Sequence, residues 1–249
     1  MASHILSLLL LLSFSSIAAF AKSSVIHAVI PDGMAVPLLI QEKPGEIEGI
    51  IADYSRALFK ILKRDGDLSI MTRYRLQENL TKGKIDFLCY VAREWVPDES
   101  VYIWSKPLYT KREVLLGPAP MPKKLEALDG KTIGTVLGYV YPVLDPLFAS
   151  KTLLREDASS EFANLKKLRN DRIKYVVTDE IFLEHYNFLS EEQSLDVGRQ
   201  RLLIQKYVIS CILSKKGSVK VQDLNRAIDT LKSSGELKRI FKNYGVSLH

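Results

Sequence analysis

The segment IDFLCYVAREWVPDESVYIWSKPLY, residues 85–109, decides how the chain is to be read. Its first part, 85–91, is apolar, β-branched or aromatic at most positions, and Lys82-Gly83-Lys84 supplies the turn that feeds it, so a buried strand is expected. The segment then breaks into a polar, aromatic loop and closes on Trp104-Ser105-Lys106-Pro107-Leu108-Tyr109. Open α/β sheets hold their ligands at the carboxyl ends of such strands. This segment is therefore the first place to look for function.

Outward from this segment the chain alternates strands and helices. Upstream, 25–30 reads as a strand ending at Pro31-Asp32-Gly33. A helix with Tyr54, Leu58, Ile61 and Leu62 on one face follows, then a short strand at 68–72 and a helix at 75–82. Downstream, 111–116 is a strand, and the loop Gly117-Pro118-Ala119-Pro120-Met121-Pro122 marks the way into a second lobe. A strand over 131–136 leads to Leu137-Gly138-Tyr139. A helix over 159–170 is expected to turn Phe162, Leu165 and Leu168 inward. The strand 175–177 ends at Thr178-Asp179 before a helix through Ile181, Phe182 and His185. An apolar run at 202–213 and two helices, 219–233 and 236–244, complete the chain, with Gly235 as the break between them. Strands alternating with helices in two runs imply two α/β lobes with mostly parallel sheets.

Composition sets the class. The chain has 249 residues, 47% hydrophobic and 26% charged, enough for one large or two small cores. The net charge of +6 is scattered, without the basic stripe and interleaved aromatics of a nucleic-acid surface. Residues 5–12 are almost unbroken apolar sequence, and Ala19-Phe20-Ala21 precedes Lys22 as a small-x-small cleavage pattern, although no Lys or Arg precedes the run. This reads as a cleavable secretory signal over 1–21, and hence an exported, periplasmic protein. The two cysteines, Cys89 and Cys211, sit in apolar strand-like runs. Export permits a disulfide, yet cysteines in such runs are more often small buried hydrophobes, which is the reading favoured here over a Cys89–Cys211 bridge. No CxxC and no histidines at ligand spacing are present, so neither a metal nor another cofactor is expected. Asn79-Leu80-Thr81 fits the glycosylation triplet.

The order of these pieces resembles the bacterial family-3 extracytoplasmic solute-binding proteins that serve polar amino-acid uptake. Gly49-Ile50-Ile51-Ala52-Asp53 resembles the family's GFDVD, and Gly83-Lys84-Ile85-Asp86 its GKVD. Trp104 to Tyr109 resembles its F-S-x-P-Y. Asp129-Gly130-Lys131-Thr132-Ile133-Gly134 resembles its L-x-GKxVGV, and Ser234 to Ile240 its DGTYxKI helix. The resemblance covers the chain beyond the signal. It implies an α/β, two-lobed, type II periplasmic-binding-protein-like clamshell. Lobe one would comprise 22–114 and 205–249, and lobe two 115–204, with crossing segments near 114–118 and 201–208. Closure would be the functional motion. The implied partners are a small polar solute and an ABC permease or membrane sensor, with no nucleic acid and a monomeric state.

In the resembled family, an Asp at the end of a lobe-two strand pairs with the ligand's α-ammonium, and Asp179 occupies that place. It equally suits an N-cap for the helix that follows, and the two roles are compatible. The family's carboxylate-binding Arg falls at Asp98, its early aromatic at Ala35, and its small hydroxyl residues at Tyr139 and Val140. An Asp in place of that Arg reverses the local charge, so the ordinary α-amino-acid pocket is not intact. Arg93 stands where the family has a small polar residue. It is expected either to reach a ligand anion or to pair with Glu94 or Asp98. Tyr90, Trp95 and Tyr139, with Gly138, would wall the pocket, Asp32 and Asp98 would line its entrance, and Trp104 would pack at the hinge. The expectation is a binding protein and not an enzyme. No nucleophile–base spacing or phosphate loop is visible, which makes a dehydratase-like enzyme on the same fold the minor alternative beside a stand-alone sensor.

Overall fold

The computed structural model describes residues 25–43, 45–96, 98–190, 195 and 199–248. The expected signal segment lies outside the described residues. Among them, no helix is long and apolar enough to cross a membrane.

The organising element is one long strand. Strand β9 (Arg199–Leu213) pairs along most of its length with β5 (Tyr109–Pro118) and, through Ser210–Leu213, with β3 (Phe87–Val91). On the β3 side lie β1 (Ile26–Pro31) and β2 (Gly66–Met71), and the two-residue β4 (Ile103–Trp104) also pairs with β9. On the β5 side lie β8 (Tyr175–Asp179), β6 (Thr132–Val136) and β7 (Leu154–Ala158). The strand order is β2-β1-β3-β9-β5-β8-β6-β7. The pairings that involve β5 or β9 are antiparallel and the others parallel, so the sheet is evenly mixed and not mostly parallel.

Helices cover both ends of this sheet. Helix α1 (Ile50–Leu62) turns Ile50, Ile51, Tyr54, Leu58 and Phe59 inward and stops at Lys63, which adopts a left-handed conformation. With α6 (Val221–Ser233) and α7 (Glu236–Asn243) it closes one core over β1, β3 and the end of β9. Helix α2 (Arg73–Lys82) covers the other face of that half through Leu76 and Leu80. In the second half, α4 (Glu161–Arg169) and α5 (Glu180–Leu189) pack on Val114, Leu116 and Val176, and the short α3 (Asp145–Ala149) lies over a fourth cluster around Ile133 and Val177. Two of these elements, α3 and β7, are not signalled by the sequence pattern. Strand β7 reads LREDA and is exposed at four of five positions, so it carries no hydrophobic alternation.

Phe162 departs from expectation: it is 55% exposed. The inward face of α4 is Asn164, Leu165 and Leu168, and the Asn164 amide donates to the Thr135 carbonyl at 2.6 Å. That buried hydrogen bond fixes the rotation of the helix, which leaves Phe162 outside against Tyr186.

Several motif residues turn out to be fastenings. Gly49 has φ +107°, and a Cβ there would lie 2.7 Å from the Pro37 carbonyl oxygen, so only glycine fits the start of α1. Asp53 accepts from the Tyr244 hydroxyl at 2.8 Å. Buried Asp86 accepts from the backbone N–H of His27 at 2.8 Å and from that of Ser218, tying three distant segments together. Ser105 exchanges backbone and side-chain hydrogen bonds with Cys211. Trp104 packs against the cluster of Leu88 and Ile212.

Cys89 and Cys211 stand directly opposite each other in the β3/β9 ladder and form a disulfide, S–S 1.98 Å. The reading as separate buried hydrophobes is thus corrected: both are buried, and the register supplies the proximity that sequence spacing alone did not.

Candidate functional site

A cavity of about 320 Å³ opens where β5 and β9 cross between the two halves. Its lining comes from the loop after β1 (Met34 to Leu38), the ends of β3 and β8, the loop after β6, the start of α4, and β5 and β9 themselves. Strand alternation explains the floor. Lys111 and Glu113 of β5 point into the cavity, whereas Arg112, between them, points to the reverse face and pairs with Glu180 at 2.8 Å.

Of the residues singled out from sequence, Tyr90, Trp95, Gly138, Tyr139 and Asp179 line the cavity. Arg93, Asp98 and Asp32 do not. The single 3₁₀ turn Arg93–Trp95 aims Glu94 and Trp95 inward and sends Arg93 outward. There Arg93 pairs with Glu99 and lies 4.6 Å from the Trp104 ring centre. Asp98 caps the next turn, accepting from the Ser100 N–H at 2.9 Å and the Ser100 hydroxyl at 2.6 Å; those bonds hold its carboxyl below the usual range. Asp32 accepts from the N–H of Gly33 at 2.7 Å in an exposed turn.

Asp179 does cap α5, accepting from the Ile181 N–H at 2.9 Å. Its other carboxyl oxygen is 3.5 Å from the Lys111 ammonium, and both side chains are largely buried. Lys111 also lies 5.3 Å from the ring centre of Tyr207 and 5.6 Å from that of Trp95. Burial works against its charge, but Asp179, with Tyr90, Glu113 and Glu161, outweighs burial and raises its pKa. Two further carboxyls share the cavity. Burial pushes Glu113 from the ordinary 4.5 up to about 7, with Lys111 opposing the shift and Asp179 reinforcing it. Burial and the neighbouring Asp179 push Glu161 to about 8, against Lys111 and the Thr178 hydroxyl, which donates to it at 3.2 Å. Asp179 is raised as well, by burial, with Lys111 opposing.

This has a stability consequence. A carboxyl whose folded-state pKa lies above its unfolded value stabilises fully below the unfolded value, and that stability is lost as pH rises through the folded one. Relative to a Glu113→Gln variant, the wild-type unfolding free energy is expected to fall by on the order of 3 kcal/mol between pH 4 and pH 8. Urea titrations at both pH values check it, and a difference independent of pH would refute it.

Lys111, Glu113, Glu161, Arg73 and Tyr207 are cavity residues that sequence reasoning did not single out. The available signal was the Lys111-Arg112-Glu113 run: three charges inside an otherwise apolar strand, two of them on one face.

The family described as bacterial extracellular solute-binding proteins, family 3, matches residues 28–247. The chain belongs to this family. Members are extracytoplasmic binding proteins, so this is a solute-binding protein of the family-3, amino-acid-binding type. Solved structures share the fold at low sequence identity. The L-cystine solute receptor of Neisseria gonorrhoeae, unliganded and open, superposes with a TM-score of 0.69 at 16% identity, covering 91% of this chain and 94% of that one. The second substrate-binding domain of Lactococcus lactis GlnP, also open, gives 0.66 at 15% identity, with 90% and 96% covered. An ancestral arginine-binding protein bound to arginine gives 0.64 at 17%, with 90% and 99% covered. Comparison with curated protein sequences found no match. The family and these structural relatives are binding proteins, not enzymes.

Proposed function

We propose that this family-3 protein is exported, with its signal cleaved after Ala21, and closes its cleft on a small polar solute that is not an ordinary α-amino acid. The observation that carries this reading is the Lys111–Asp179 pair at 3.5 Å. In the family this Asp receives the ligand's ammonium; here a tethered ammonium of the protein's own already faces it. The carboxylate-binding Arg is replaced by Asp98, whose side chain is spent on Ser100. Of the two anchors of an α-amino acid, one is thus already paired within the protein and the other is missing from its usual place.

Lobe one in this reading is 22–114 with 205–249, lobe two is 115–204, and the closing motion bends the paired strands β5 and β9. The resemblance to the second substrate-binding domain of an amino acid ABC transporter from Streptococcus pneumoniae supports a membrane permease as the partner of the loaded, monomeric protein.

A thermal-shift screen of the purified protein against α-amino acids, amines, carboxylates and sugars tests it. A solute present at a hundredfold excess over its Kd should raise Tm by about 5 °C or more. Glycine, alanine and serine should leave Tm unchanged. A shift with these three would overturn the exclusion of α-amino acids, and silence across all four classes would count against solute binding itself.

A further inference from the structure

Glu113 is the cavity group that the protein's own side chains leave unanswered. It is 8% exposed and opens into the cavity, and among the described residues its carboxyl receives no hydrogen bond and makes no ion pair within 4 Å. Buried carboxyls are ordinarily supplied with donors, so one that faces a cavity without them points to a donor arriving from outside. Glu161 lines the same cavity with one donor, the Thr178 hydroxyl, and keeps acceptor capacity to spare.

The neighbours decide the charge of that donor. Glu113 is faced by Lys111 from its own strand, Asp179 from β8, Asp145 from α3 and Tyr207 from β9. Glu161 is faced by Asp179 and Thr178 from β8, Lys111 and Glu113 from β5, and Tyr139 and Tyr141 from the segment after β6. Among these groups Lys111 is the one cation, and its charge is matched by Asp179. Arg73 also lines the cavity but is solvent-exposed, and a hydrated guanidinium needs no ligand. A buried carboxyl without a donor does.

We infer that the cleft takes a small organic cation, an amine or guanidinium compound, held by the Glu113 and Glu161 carboxylates with Tyr90 and Tyr139 as flanking rings. Carboxylates give an ammonium or guanidinium charge-assisted hydrogen bonds, and aromatic faces add a cation–π contribution. The inference rests on the solute-binding reading above and narrows it. Burial holds both carboxyls partly protonated at neutral pH, Glu113 near 7 and Glu161 near 8. A cation binds the ionised forms, so each carboxyl that ionises on binding releases its proton to the buffer, and affinity rises with pH.

Isothermal titration of the full mature protein with putrescine and methylguanidine, beside succinate, glycine and glucose, tests the inference. At least one of the two cationic probes is expected to bind and to tighten by about tenfold or more from pH 6 to pH 8. It should also weaken about tenfold or more in Glu113→Gln, with a flattened pH profile. If Glu113→Gln fails to fold, Glu161→Gln and the wild-type pH profile give the same readout. Binding of succinate or glucose without either cation would overturn the inference and leave the solute-binding reading intact. Cation binding that weakens with rising pH, or that Glu113→Gln leaves unchanged, would also overturn it. Heats from none of the five probes would overturn it too, and the four-class thermal screen would then show whether solute binding stands.

Discussion

Replacing Cys89 and Cys211 together by alanine is expected to remove about 4 kcal/mol of stability, within the 2–5 kcal/mol usual for a native bridge. The cross-link spans 122 residues of sequence, so it excludes a large set of open conformations from the unfolded chain. In the folded state it joins two positions that the β3/β9 register places opposite each other. Urea unfolding of the double variant, followed by circular dichroism, should show a large drop in midpoint with little change in secondary structure before the transition. A loss under 1 kcal/mol would mean that the unfolded chain is already held compact without the bridge. The bridge also suits an oxidising compartment, as expected of an extracytoplasmic family.

Lys111→Met is expected to cost 3–5 kcal/mol at neutral pH. The substitution keeps most of the side-chain volume and removes the ammonium. Asp179 would then be left buried beside Glu161 and Glu113 with no cation facing it. Breaking one side of a buried pair costs far more than removing both, because the remaining charge has lost both water and partner. The double variant Lys111→Met/Asp179→Asn should recover much of the loss, since an Asn side chain still accepts the hydrogen bond from Ile181 that caps α5. The single variant should also regain stability toward pH 5 as the raised carboxyls take up protons. A Lys111→Met protein as stable as wild type at pH 7 would show that Asp179 is neutral in the native state.

Much of the scaffold was legible because its residues act locally. The stripe of Tyr54 and Leu58, the Gly83 turn and the Gly235 break are set by helical period and backbone freedom, which neighbouring residues carry. The site was legible in part. Tyr90 and Asp179 end strands of the sheet and line the cavity, and Tyr139 lies on the loop that follows a third. Arg93 and Asp98 were drawn toward the cavity by position alone, and a three-residue turn together with local hydrogen bonds carried them away from it. Lys111 and Glu113 were passed over because a charge on a strand ordinarily faces water. Here one face of β5 turns into the cleft, and on the other Arg112 is paired with Glu180.

The position of the disulfide along β9 has a mechanical meaning. This strand is about 50 Å long at the usual rise per residue, and Cys211 sits close to its carboxyl end, within the ladder to β3. The strand is therefore a beam clamped at its root. Its overhanging part, which pairs with β5, is where curvature can change while the clamped end keeps its place. In the closing motion proposed above, compliance would be concentrated on the same residues that face Lys111 and Glu113, so the part that bends and the part that senses a ligand would be one piece of chain.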